Sequence, residues 1–106
     1  REFLYAEDAA EGILLAAEHY NSSDPINLGT GQEIKISALV KKIFETVGFE
    51  GDAEWNVSQP DGQPRRSLDV TRAKMAFGFE AQTSFDQGLR KTVDWYLSAR
   101  KEGAVV

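Results

Sequence analysis

A small mixed α/β fold, short strands with about four helices, is what this 106-residue sequence predicts. Three observations predict it. Apolar residues recur at helical spacing in several stretches, and Glu33-Ile34-Lys35-Ile36 alternates polar and apolar as a strand does. Clusters of Pro, Gly, Asn and Ser cut the chain into short pieces between them. The length suits one domain, 1–106, with a single core.

The elements follow in order. Phe3-Leu4-Tyr5 reads as the end of a strand. Glu7 and Asp8 stand where negative charge favours a helix N-terminus, and Ala9 to Tyr20 carries the stripe Ile13, Ala16, Ala17, Tyr20. Its alanines allow close packing, and Asn21 to Pro25 ends it in a polar loop. Ile26-Asn27-Leu28 and Glu33 to Ile36 read as strands joined by Gly29-Thr30-Gly31. Ser37 is an N-cap for a second helix, whose face is Leu39, Val40, Ile43, Phe44 and Val47 and whose stop is Gly48. Glu54 to Val57 suggests a further strand with Trp55 and Val57 on one side. Thr71 to Phe77 is a short helix stopped by Gly78. Ser84 with Gln87 forms a capping box for a last helix, Phe85 to about Arg100, with Phe85, Leu89, Val93, Tyr96 and Leu97 on its apolar face. Residues 103–106 are expected to form a disordered tail.

A net charge of −5 without a basic stripe argues against nucleic acid as a partner. No apolar run approaches the ~20 residues of a membrane span. Zero cysteines remove disulfides and thiolate metal sites and point to a cytoplasmic setting. The chain opens at Arg1 directly on an apolar run, so it is expected to be a piece of a longer protein.

The stretch with most chemical content is Ser58 to Asp69, which gathers Pro60, Asp61, Gly62, Pro64 and the adjacent Arg65 and Arg66. Pro60-Asp61-Gly62 is turn chemistry, and Pro64 stiffens the backbone before the arginines. Two guanidinium forks on a stiff loop suit a phosphate or carboxylate, each donating two parallel hydrogen bonds. The plainer reading is that both arginines pair with nearby surface acids.

Other candidates carry less. Gly29-Thr30-Gly31 lacks the third glycine and the Lys-Ser/Thr of a phosphate loop, so it reads as a turn. His19 is the sole histidine; with no cysteine beside it no metal site is expected, and a surface position is. Neither Glu7/Asp8 nor Asp61/Asp69 has the setting of a catalytic pair, and Trp55 and Trp95 read as core. No catalytic residue is assigned.

The runs Arg1-Glu2-Phe3-Leu4-Tyr5 with Glu7 to Ala10, Asn27 to Gly31, Pro60 to Arg66 with Leu68-Asp69-Val70, and Thr92 to Tyr96 resemble the carboxy-terminal part of the extended short-chain dehydrogenases/reductases. That family comprises NAD(P)-dependent nucleotide-sugar epimerases and dehydratases. The resemblance implies a substrate-binding subdomain that grips the nucleoside diphosphate of a sugar nucleotide. It matches Arg1 to an arginine on the diphosphate, Arg65 and Arg66 to a loop reaching the same phosphates or their ribose, and Asp61 to a position near the nucleoside. It also implies an amino-terminal Rossmann domain that binds NAD or NADP and carries the catalytic Ser/Thr, Tyr and Lys. None of those has a counterpart here: four residues after Tyr5, Tyr20 and Tyr96 stand Ala9, Asp24 and Arg100. This chain alone is therefore expected to bind no cofactor. The surface meant for the Rossmann half is expected to drive self-association or homodimer formation. The alternative is a stand-alone, non-catalytic binding or protein-interaction module.

Overall fold

The computed structural model describes residues 1–105. Four helices form: α1 (Ala6–His19), α2 (Ile36–Val47), α3 (Thr71–Phe77) and α4 (Phe85–Lys101). No strand forms among the described residues, which corrects the mixed α/β expectation. The segments 3–5, 26–28, 33–36 and 54–57 are not strands. Arg1 and Ile34 exchange two backbone hydrogen bonds, each 2.8 Å, one step of antiparallel pairing that goes no further. Alternation along a segment supplies a face; a ladder needs a neighbour running beside it for several residues. Here the extended pieces run singly between helices.

Helix ends show why local chemistry was a better guide. Gly48 and Gly78 close α2 and α3 in the left-handed conformation, at φ of 69° and 70°. Ser84 Oγ accepts from the Gln87 N–H at 3.3 Å, and Gln87 Oε1 accepts from the Ser84 N–H at 3.2 Å, completing the capping box of α4. Ser37 does not cap. Lys35 holds that position without a side-chain bond, and α2 begins two residues earlier than a Ser37 cap would place it. After α4 the N–H groups of Gly103 and Ala104 donate back to Arg100 and Ala99. Val106, the end of the expected tail, lies outside the described residues.

Packing joins α1 to α3 and α2 to α4. Gly12 lets α1 approach the segments beside α3: a Cβ there would lie 3.0 Å from both Leu28 and Phe79. Asp8 is buried on α1, and its Oδ2 accepts the Thr83 N–H at 2.9 Å, tying α1 to the entry of α4. Phe3 meets Phe85 edge-on at 5.9 Å. Otherwise the interior is thin: the buried apolar residues are Ala73, Phe79 and Ala99. The α1 stripe is split: Ile13 is 61% exposed and Ala17 is exposed, while Ala16 and Tyr20 are half-buried and Tyr20 meets Phe77 of α3 edge-on at 6.0 Å. Trp55 and Trp95, expected in a core, are 54% and 62% exposed. The accessible surface is 8428 Å² and the radius of gyration 16.8 Å. A compact monomer of this size has about 5,900 Å² and about 13 Å. The fold thus leaves wide apolar faces on α1, α4 and the 49–57 loop without cover.

Candidate functional site

The arginine loop meets the start of the chain and the approach to α2. Arg1, Glu33, Ile34, Lys35, Ile36, Asp61, Gly62, Gln63, Pro64 and Arg65 line an open groove of about 710 Å³. Arg1 is fixed at its backbone by Ile34, and its guanidinium Nη1 donates to the Gln63 carbonyl at 2.8 Å. The first residue of the chain therefore holds the loop that carries Arg65 and Arg66.

Arg65 makes a fork on Glu33. Its Nε donates to Oε1 at 2.6 Å and to Oε2 at 2.8 Å, and its Nη2 donates to Oε2 at 2.5 Å. Those bonds from Arg65 hold the Glu33 carboxyl below the usual carboxylate range, and the same bonds push Arg65 up. The sequence contained this pair only as two residues 32 positions apart. Alternation along 33–36 gives Glu33 no partner; in the structure the whole run Glu33 to Ile36 lies along the groove.

The expected residues are thus brought together in part. Arg1, Asp61 and Arg65 share the groove. Arg66 does not line it; it is exposed and forms no hydrogen bond or ion pair among the described residues. The groove side chains comprise three cations, Arg1, Lys35 and Arg65, against Glu33 and Asp61. An oxyanion brought there would meet planar N–H donors with an apolar wall of Ile34, Ile36 and Pro64 beside them. Arg65 would have to exchange Glu33 for it.

The remaining candidates fall where simple readings put them. The Thr30 N–H donates to Glu2 Oε1 at 2.8 Å, so the Gly29-Thr30-Gly31 turn serves an internal carboxylate. His19 is on the surface beside Glu18 at 3.5 Å. Among the described residues no group of three or more His, Cys, Asp or Glu side chains could hold a metal, and no helix is long and apolar enough to cross a membrane.

No family model matches the chain. It is 37% identical over 97 residues to GDP-L-fucose synthase 1 of Arabidopsis thaliana, covering 92% of this chain and 30% of that protein. It is also 37% identical over 106 residues to the GDP-L-fucose synthase of Escherichia coli, covering 92% of this chain and 33% of the relative. Among solved structures, the Bordetella bronchiseptica enzyme WbmF in complex with NAD+ and UDP superposes with a TM-score of 0.82 at 30% identity, over 95% of this chain and 30% of that one. The chain spans about 30% of the length of the curated relatives it matches.

Proposed function

Because this chain belongs to the extended short-chain dehydrogenases/reductases, the NAD-dependent epimerase/dehydratase family, as a match to their carboxy-terminal part, we propose that it is the substrate-binding segment of a cytoplasmic nucleotide-sugar epimerase/reductase most like GDP-L-fucose synthase. Arg1 and Arg65 take the diphosphate in the groove, Arg66 closes over it from the loop, and Asp61 faces the nucleoside. NAD or NADP, and the groups that move hydride and proton, come from an amino-terminal segment outside these 106 residues. The observation that carries the reading is the convergence of Arg1, Lys35 and Arg65 on one groove in a chain whose relatives act on, or were solved with, nucleoside diphosphates.

Two phosphates need several forked donors at once, and donors delivered from two separate segments define both position and direction. Held at its diphosphate, the sugar is presented in one orientation to groups supplied elsewhere, so binding energy remote from the reacting carbon serves the reaction. The uncovered apolar faces are consistent with this division: α1, with Ile13 and Leu14 exposed, receives the cofactor-binding half.

The test is Arg66→Ala in the full-length protein, assayed with GDP- and UDP-sugars. KM for the accepted nucleotide sugar rises about ten-fold, the loss of one charge-assisted contact. Unchanged KM and kcat remove the phosphate role of this loop.

A further inference from the structure

Glu2 adjoins Arg1 and does not line the groove, yet both of its carboxylate oxygens accept a backbone hydrogen bond. Oε1 accepts the Thr30 N–H at 2.8 Å, and Oε2 accepts the Leu68 N–H at 2.9 Å. Those donors lie 28 and 66 residues away, on the glycine turn and at the far end of the arginine loop. The space for the carboxylate exists because residue 29 has no side chain: a Cβ on Gly29 would sit 2.2 Å from Glu2 Oε1 and 3.1 Å from Leu68. Gly29 is buried and Glu2 is half-buried, so the Thr30 bond is partly shielded from water, while the Leu68 bond is exposed.

We infer that Glu2 is a positioning residue for the diphosphate grip, pinning the arginine loop at Leu68 while Arg1 pins it at Gln63. The inference rests on the nucleotide-binding reading above. Between those two pins lie Pro64, Arg65, Arg66 and Ser67. A loop of exposed residues fixed at both ends samples fewer arrangements, so less order has to be created when a ligand arrives. A carboxylate offers one acceptor oxygen to each donor. A glutamine keeps the shape but turns an N–H₂ group toward one of the two N–H groups, leaving that one without an acceptor.

Three variants of the full-length protein test this: Glu2→Gln, Gly29→Ala, and Glu2→Gln built into an Arg65→Ala/Arg66→Ala background. Affinity for GDP and UDP is read by calorimetry, alongside KM, kcat and amide exchange. Glu2→Gln weakens nucleotide binding about ten-fold, raises KM with kcat within about two-fold, and accelerates exchange at Thr30 or Leu68. Gly29→Ala reproduces the loss by displacing the carboxylate. In the Arg65→Ala/Arg66→Ala background Glu2→Gln changes affinity by less than about two-fold, because it acts through the loop side chains no longer there. An equal loss in both backgrounds makes Glu2 merely a general stabiliser and overturns the inference. So does wild-type affinity in Glu2→Gln while the arginine variant binds poorly. If the arginine variant itself binds nucleotide normally, the nucleotide reading fails and this inference falls with it.

Discussion

Replacing Glu33 by Gln should tighten nucleotide binding, although Glu33 is the groove's best-bonded acid. In the free protein its carboxylate occupies the Arg65 fork through three contacts of 2.5–2.8 Å. A diphosphate can use that fork only after the pair opens. Arg65 is 78% exposed, so solvent screens the pair, and a closed-to-open ratio of about 2 to 5 is appropriate for an exposed pair with good geometry. The apparent Kd is raised by one plus that ratio, so Glu33→Gln lowers it about three- to six-fold. Salt weakens the same pair, and the advantage of the variant shrinks as ionic strength rises from 0.05 M to about 1 M. Calorimetric titration of GDP and UDP into both proteins at the two salt concentrations measures this. An unchanged or weaker affinity at low salt would refute the reasoning, because it would mean that Arg65 keeps Glu33 while nucleotide is bound.

Ser84→Ala removes the acceptor for the Gln87 N–H and should cost about 1 kcal/mol of stability, seen as a lower Tm with unchanged nucleotide affinity. Asp69 accepts the Thr71 N–H at 2.9 Å at the start of α3, and that bond holds its carboxyl below its ordinary value of 3.8. Its contribution is present above that value and is lost as pH falls through the lower folded one. The stability gap between wild type and Asp69→Ala in urea titrations is therefore full at pH 6 and narrows below about pH 4. For the 106-residue chain expressed by itself, sedimentation should reveal self-association through the uncovered apolar faces; a stable monomer at all concentrations would contradict that expectation.

What was legible in the sequence was local. Gly48 and Gly78 each stop a helix because positive φ is required there, and Ser84 with Gln87 satisfies two N–H groups within four residues. Such features need nothing from the rest of the chain. The strands failed because Glu33 to Ile36 pairs with Arg1 for one step only, and Ile36 was free to start α2. The α1 stripe held only in part: Ala16 and Tyr20 are half-buried, but Ile13 is exposed, and the buried residues are Gly12 and Asp8, neither of them apolar in bulk. The arginine loop was visible as Pro64-Arg65-Arg66. Its partners were not, since Glu33 and Glu2 reach it from 32 and 66 residues away in the chain. Residue type can announce a fork of donors; only the folded path reveals whether an internal acid already occupies it.

The thin interior has a bearing on how this segment comes apart. Denaturant sensitivity scales with the area newly wetted on unfolding, and some 2,500 Å² more than the norm is wet already by the surface comparison above. Taken by itself, the segment should therefore melt over a broad range of urea with a shallow slope. Once its bare sides are covered, the same helices should unfold sharply, because much more surface then has to meet water in a single step.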